Sequence, residues 1–195
     1  MTGTDSTLAP SDPNLGPGPR VLIVVAVALF AGILVWFATG CNRDEGSDVV
    51  VGATNGAHIV SIDDLDGIPD EVGHNVFWAG ERDDTELELS DDESGNVHVR
   101  YLTDGAEAGT AEQTYLDIGT YPFEGAYETT RDLSGQAKLT PVDVGEDGIG
   151  FYDPKNPYSV ILAFPDEPNL QIEVYHPDEN AALDVVRSGD IVPVP

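Results

Sequence analysis

The chain has 195 residues, enough for one ordinary domain with accessory segments. Eight Lys and Arg stand against 36 Asp and Glu, a formal net charge of −28 that leaves no basic stripe for a nucleic-acid partner. A hydrophobic share of 41% excludes wholesale disorder, and the single cysteine, Cys41, excludes an intrachain disulfide or a multi-cysteine zinc site.

Residues 1–20, rich in Pro and Gly, read as a disordered N-terminal tail that cannot pack. Val21 to Ala38 then runs for eighteen residues without a charged or polar side chain. With Thr39, Gly40 and Cys41 it makes roughly 31 Å of helix, matching a hydrocarbon core of about 30 Å. Residues 21–41 are therefore expected to form one transmembrane helix, and the lipid bilayer is the first expected partner. Arg20 and Arg43 flank it evenly, so the positive-inside rule does not orient it. A short tail before a long domain suits an uncleaved anchor with the C-terminal domain outside the cytoplasm. Phe37-Ala38-Thr39-Gly40-Cys41 also resembles a bacterial lipobox, which makes Cys41 a candidate lipidation site. Ala38 stands where Leu is usual, and the residues before Arg20 lack a basic start. The plain anchor is the expected state, and a lipoprotein is the alternative.

Residues 42–60 read as a polar linker, and residues 61–195 as an acidic α+β outer domain. His74–Gly80, Glu86–Leu89 and Asn96–Tyr101 read as three antiparallel strands, with Leu87, Leu89, Val97, Val99 and Tyr101 on a buried face. Leu116–Tyr121 supplies another strand. Pro122 suits the first turn of a helix carrying Phe123, Tyr127 and Thr130 on one side, stopped at Ser134-Gly135 by a left-handed glycine. Ala137–Val142, Ile149–Tyr152, Ser159–Phe164 and Leu170–Tyr175 read as strands between Pro, Gly and Asp turns. A last helix opens at Pro177-Asp178, buries Ala182, Leu183 and Val186, and closes at Ser188-Gly189. The expected fold is α+β: an antiparallel sheet of about six to eight short strands with two or three helices packed on one side.

The motifs HNVFWAG, VRYL, IGTYP, PYSVILAFP, QIEVYHP and VRSGDIVPV lie between residues 74 and 194. Together they resemble an uncharacterised family of bacterial single-pass membrane proteins with an extracytoplasmic α+β domain. The resemblance implies an architecture only, because that family carries no established activity or catalytic residues.

Asp63 to Glu71 (DDLDGIPDE) is the sharpest local motif. If Gly67 is the sixth position of a calcium loop, Asp64, Asp66 and Asp70 fall at positions three, five and nine as candidate calcium ligands. Ile62 and Gly73 then occupy the first and last ligand positions and offer no side-chain oxygen. The alternative reading is a helical turn capped by Ser61 and broken at Pro69. His58, His74, His98 and His176 have no zinc spacing, and no nucleophile elbow or phosphate-cradling loop occurs. His98, Asp117 and Ser159 are the residue types of a triad, but nothing in their spacing joins them. No other cofactor is expected. Between residues 42 and 195 there are 34 acids and seven bases, which fits a basic envelope protein or polymer as a partner. The expectation is a membrane-anchored, non-catalytic interaction or envelope-structural module, and the alternative is a calcium-binding sensor.

Overall fold

A computed structural model describes residues 55–145 and 148–195. The tail, the apolar span 21–41, Cys41 and most of the linker lie outside the described residues. Among those described, no helix is long and apolar enough to cross a membrane.

The described region is an α+β fold built on one antiparallel sheet of eight strands. In chain order the elements begin with β1 (Asn55–Val60), two helical turns α1 (Ile62–Leu65) and α2 (Ile68–Val72), and β2 (Phe77–Trp78). A meander follows, of β3 (Glu86–Asp91), β4 (Val97–Leu102) and β5 (Leu116–Pro122). After helix α3 (Ala126–Ser134) a second meander runs through β6 (Thr140–Asp143), β7 (Ile149–Asp153), β8 (Asn156–Ala163) and β9 (Leu170–Tyr175). Helix α4 (Ala181–Ser188) and β10 (Val192–Pro193) complete the chain. The sheet order is β1-β3-β4-β5-β9-β8-β7-β6, so the two meanders join where β5 pairs with β9.

Period-two alternation explains the core. Leu87, Leu89, Val97, Val99, Leu116, Ile118, Val160, Leu162, Ile172 and Val174 all point to one face and are buried there. Leu65, Ile68, Phe77, Trp78 and the α4 residues Ala182, Leu183 and Val186 close over them. Tyr101 ties this cover to the sheet. Its buried hydroxyl accepts from the Ala79 N–H at 2.7 Å and donates to the Gly80 carbonyl at 3.0 Å. Burial pushes the Tyr101 hydroxyl up to about 12, so it serves as a hydrogen-bond group and not as an acid.

Several expectations need correction. Residues 55–60 do not belong to the linker, because β1 pairs with β3 and buries Val60; too few alternating positions signalled it in sequence. The strand expected at His74–Gly80 shrinks to Phe77–Trp78 and pairs with β10 in a separate two-stranded sheet. It is therefore not a neighbour of β3 and β4, although those two pair antiparallel as expected, in a register that sets Leu87 opposite Tyr101 and Leu89 opposite Val99. Pro122 ends β5 instead of opening a helix, and α3 begins after Gly125, whose φ of 75° only glycine adopts cheaply. Gly135 closes α3 in a right-handed conformation, not the left-handed one expected. The helices also do not share one side. α4 lies on the core face, whereas α3 crosses β7, β8 and β9 on the opposite face, where Gln171 Nε2 donates to Thr130 Oγ1 at 3.0 Å.

Candidate functional site

The face of the sheet opposite the core is polar along its centre. By parity it carries Glu88 on β3, His98 and Arg100 on β4, Asp117 and Tyr121 on β5, and Glu173 and Tyr175 on β9. Two devices cover it in part. At one end residues 103–115, between β4 and β5, form a strap across Glu88 and Arg100. The Gly109 N–H donates to Glu88 Oε2 at 2.6 Å, and Arg100 donates to the carbonyls of Thr110 at 3.1 Å and Glu112 at 3.3 Å. Arg100 also lies over the Tyr115 ring and forms an ion pair with Glu88 Oε1 at 3.0 Å. That ion pair lacks hydrogen-bond geometry at Oε1, so the attraction there is chiefly Coulombic. At the other end α3 covers β7, β8 and β9.

Between strap and helix lies a titratable cluster. His98 Nδ1 stands 3.2 Å from both oxygens of Asp117. The Tyr121 hydroxyl donates to Glu173 Oε2 at 3.3 Å, and the Tyr121 ring meets the His98 ring edge-on at 5.6 Å. Ser159 also hydrogen-bonds Glu173. Gly119 makes this possible: it sits between His98 and Glu173 in register, and a Cβ there would lie 2.7 Å from Tyr121 Cζ. Tyr121 therefore lies directly over the Gly119 backbone, and burial raises its hydroxyl well above the ordinary tyrosine range.

Burial disfavours the His98 imidazolium, but Asp117, with Glu173 and Asp92 behind it, outweighs burial and raises its pKa. The Glu173 carboxyl is raised as well, first by burial and then by Asp117, against the opposing hydrogen bonds of Ser159 and Tyr121. Both groups thus hold protons more tightly folded than unfolded. Their contribution to stability is complete below the ordinary values of 4.5 for Glu and 6.5 for His, and is lost as pH rises through the folded values. The denaturant midpoint at fixed ionic strength is expected to fall from pH 4.5 upward, and His98→Gln is expected to flatten the part above 6.5. A midpoint that rises across this window would contradict the arrangement.

The structure brings together two of the three residues named as triad types. His98 and Asp117 pair on neighbouring strands, but Ser159 on β8 stands three strand spacings from His98, roughly 14 Å, and bonds Glu173 instead. The candidate calcium ligands behave as local structure. Asp64 Oδ2 accepts from the Ser61 N–H at 2.9 Å and from its hydroxyl at 2.7 Å, completing a capping box whose hydrogen bonds lower the Asp64 carboxyl. Asp66 is the C-cap of α1, and Asp70 lies in the first turn of α2, with Pro69 beside it opening that turn. Among the described residues, no three His, Cys, Asp or Glu side chains are grouped to hold one metal ion.

Glu88, Arg100, Tyr121 and Glu173 were not singled out by sequence. Their signal was parity: each occupies the polar position of an alternating strand, and alternation alone marks such a position as solvated. Comparison with protein-family models, with curated proteins and with solved structures finds no match.

Proposed function

We propose that this chain is a membrane-anchored, non-catalytic interaction or envelope-structural module, held to the bilayer by residues 21–41 with its C-terminal domain outside the cytoplasm. Its partner is a basic protein or polymer. The observation that carries the reading is acidity left uncompensated by the fold. Arg100 is committed to Glu88, Arg82 to Asp190 and Arg131 to Glu128, so these cations neutralise internal carboxylates. Long runs of exposed acid remain, among them Asp63, Asp64, Asp66, Asp70 and Glu71 around α1 and α2. A field of one sign attracts a polycation and repels phosphate polymers. The separation of Ser159 from His98 also supports a binding role over hydrolytic chemistry at that pair.

The test is binding of poly-lysine to the full chain in nanodiscs of neutral lipid. Affinity is expected to fall by at least about tenfold between about 0.01 and 0.15 M sodium chloride, as the Debye length contracts from about 30 to 8 Å. Absence of binding at low salt would overturn the proposal. Calcium competing far beyond its ionic strength, and losing that advantage in Asp64→Asn/Asp66→Asn, would favour the sensor reading instead.

A further inference from the structure

The eight-stranded sheet has two edges, and they are built differently. β6 carries Pro141 and Asp143, and a proline and a charge are the ordinary guards against strand addition. β1 (NGAHIV) has neither a proline nor a charged residue. The described residues give it one strand partner, β3, on one side. Its Ile59 is 45% exposed, among the most exposed large apolar side chains described. Its pairing with β3 is irregular between Asn55 and His58, but His58–Val60 run in regular register, and an uncharged, proline-free stretch with an exposed apolar side chain is a template for another strand.

What lies at the C-terminal end of β1, where the chain enters its partner β3, points to the occupant. A recess of about 680 Å³ opens next to β1, with Ile59 and Ile62 in its wall and Glu81, Asp83, Asp84 and Glu86 around it. These four acids are all exposed. The one base in the same wall, Arg82, pairs with Asp190 at 3.6 Å. A second copy of this chain would bring the same acids against themselves, and an acidic strand would be repelled. An extended segment alternating apolar and basic side chains fits both features: its backbone adds to β1, an apolar side chain rests on Ile59, and Lys or Arg reaches the acidic rim.

We propose that the edge of β1 that no described strand pairs is a strand-addition site for an extended, basic segment of a partner protein. The inference rests on the proposed preference for a basic partner and adds a place and a geometry to it. Main-chain hydrogen bonds supply affinity in this mode, and the rim selects charge.

The test uses the full chain in neutral nanodiscs and three probes: a peptide of alternating Lys and Val as long as β1, the same peptide N-methylated at alternate amides, and poly-lysine. The plain peptide is expected to bind at least about tenfold more tightly than the methylated one, which keeps its charge but lacks the hydrogen bonds of an added strand. Ile59→Lys, at an exposed position, is expected to weaken the plain peptide by about tenfold while changing poly-lysine binding by less than about twofold. Circular dichroism confirms that this variant is folded, and bound peptide is expected to slow hydrogen exchange of the β1 amides. Equal binding of the two peptides, or indifference to Ile59→Lys, would overturn strand addition and leave the general preference for polycations standing. Loss of poly-lysine binding in the unaltered chain would overturn both.

Discussion

Arg100→Met is expected to destabilise the α+β domain by about 3–5 kcal/mol, the cost of removing one partner from a buried ion pair. Glu88 is only 1% exposed, and its charge is met by the Arg100 guanidinium 3.0 Å away and the Gly109 N–H. Methionine retains much of the arginine stem but leaves that carboxylate with a single backbone donor. The same change releases the carbonyls of Thr110 and Glu112, so the strap loses its attachment to β4. Denaturant titration measures the loss, and hydrogen exchange is expected to show residues 103–115 opening ahead of the sheet. The double variant Glu88→Gln/Arg100→Met is expected to recover most of the stability, because the uncompensated charge disappears with the carboxylate. A loss below about 1 kcal/mol in the single variant would mean the pair is reached by water and seals nothing.

Gly119→Ala is expected to cost about 1–3 kcal/mol, the usual penalty for inserting a methyl group into filled space. The new Cβ would sit 2.7 Å from Tyr121 Cζ and 2.8 Å from Cε2, so the ring must lift from the sheet. Lifting it breaks the hydrogen bond to Glu173 and the edge-on contact with His98. The pH dependence of stability is therefore expected to change along with its magnitude. In a Tyr121→Ala background the same glycine substitution is expected to be nearly neutral, which separates the clash from any intrinsic effect of alanine in a strand. Equal costs in both backgrounds would show that Gly119 is not holding room for the ring.

The candidate site was harder to read than the fold for a definite reason. Glu88, His98 and Arg100 alternate with buried apolar residues, a pattern that ordinarily means a solvated face. Glu88 is nevertheless buried, because residues 103–115 fold back over it. That segment has no periodicity of its own, and its hydrogen bonds to Glu88 and Arg100 run through backbone groups that every residue type possesses. Asp117 reaches His98 because β4 pairs with β5, whereas Glu173 joins them only because β5 pairs with β9, which sets Glu173 opposite Gly119, more than fifty positions away. Nothing local to either strand specifies that partner.

The acidity of the chain, the capping box at Ser61 and Asp64, the antiparallel pairing of β3 with β4, the limits of β9 and the apolar stripe of α4 closed at Ser188-Gly189 all followed from sequence. Each depends on neighbours a few residues apart, or on a sum over the whole chain. The pairing of β2 with β10, the placement of α3 on the face away from α4, the strap over Glu88 and the cluster at His98 were decided by tertiary structure. A strand's alternation states which side chains share a face, but its hydrogen-bonding edges are chemically alike along the whole chain. Which edge meets which is settled only when all the apolar faces are buried at once, and that choice placed a histidine among carboxylates.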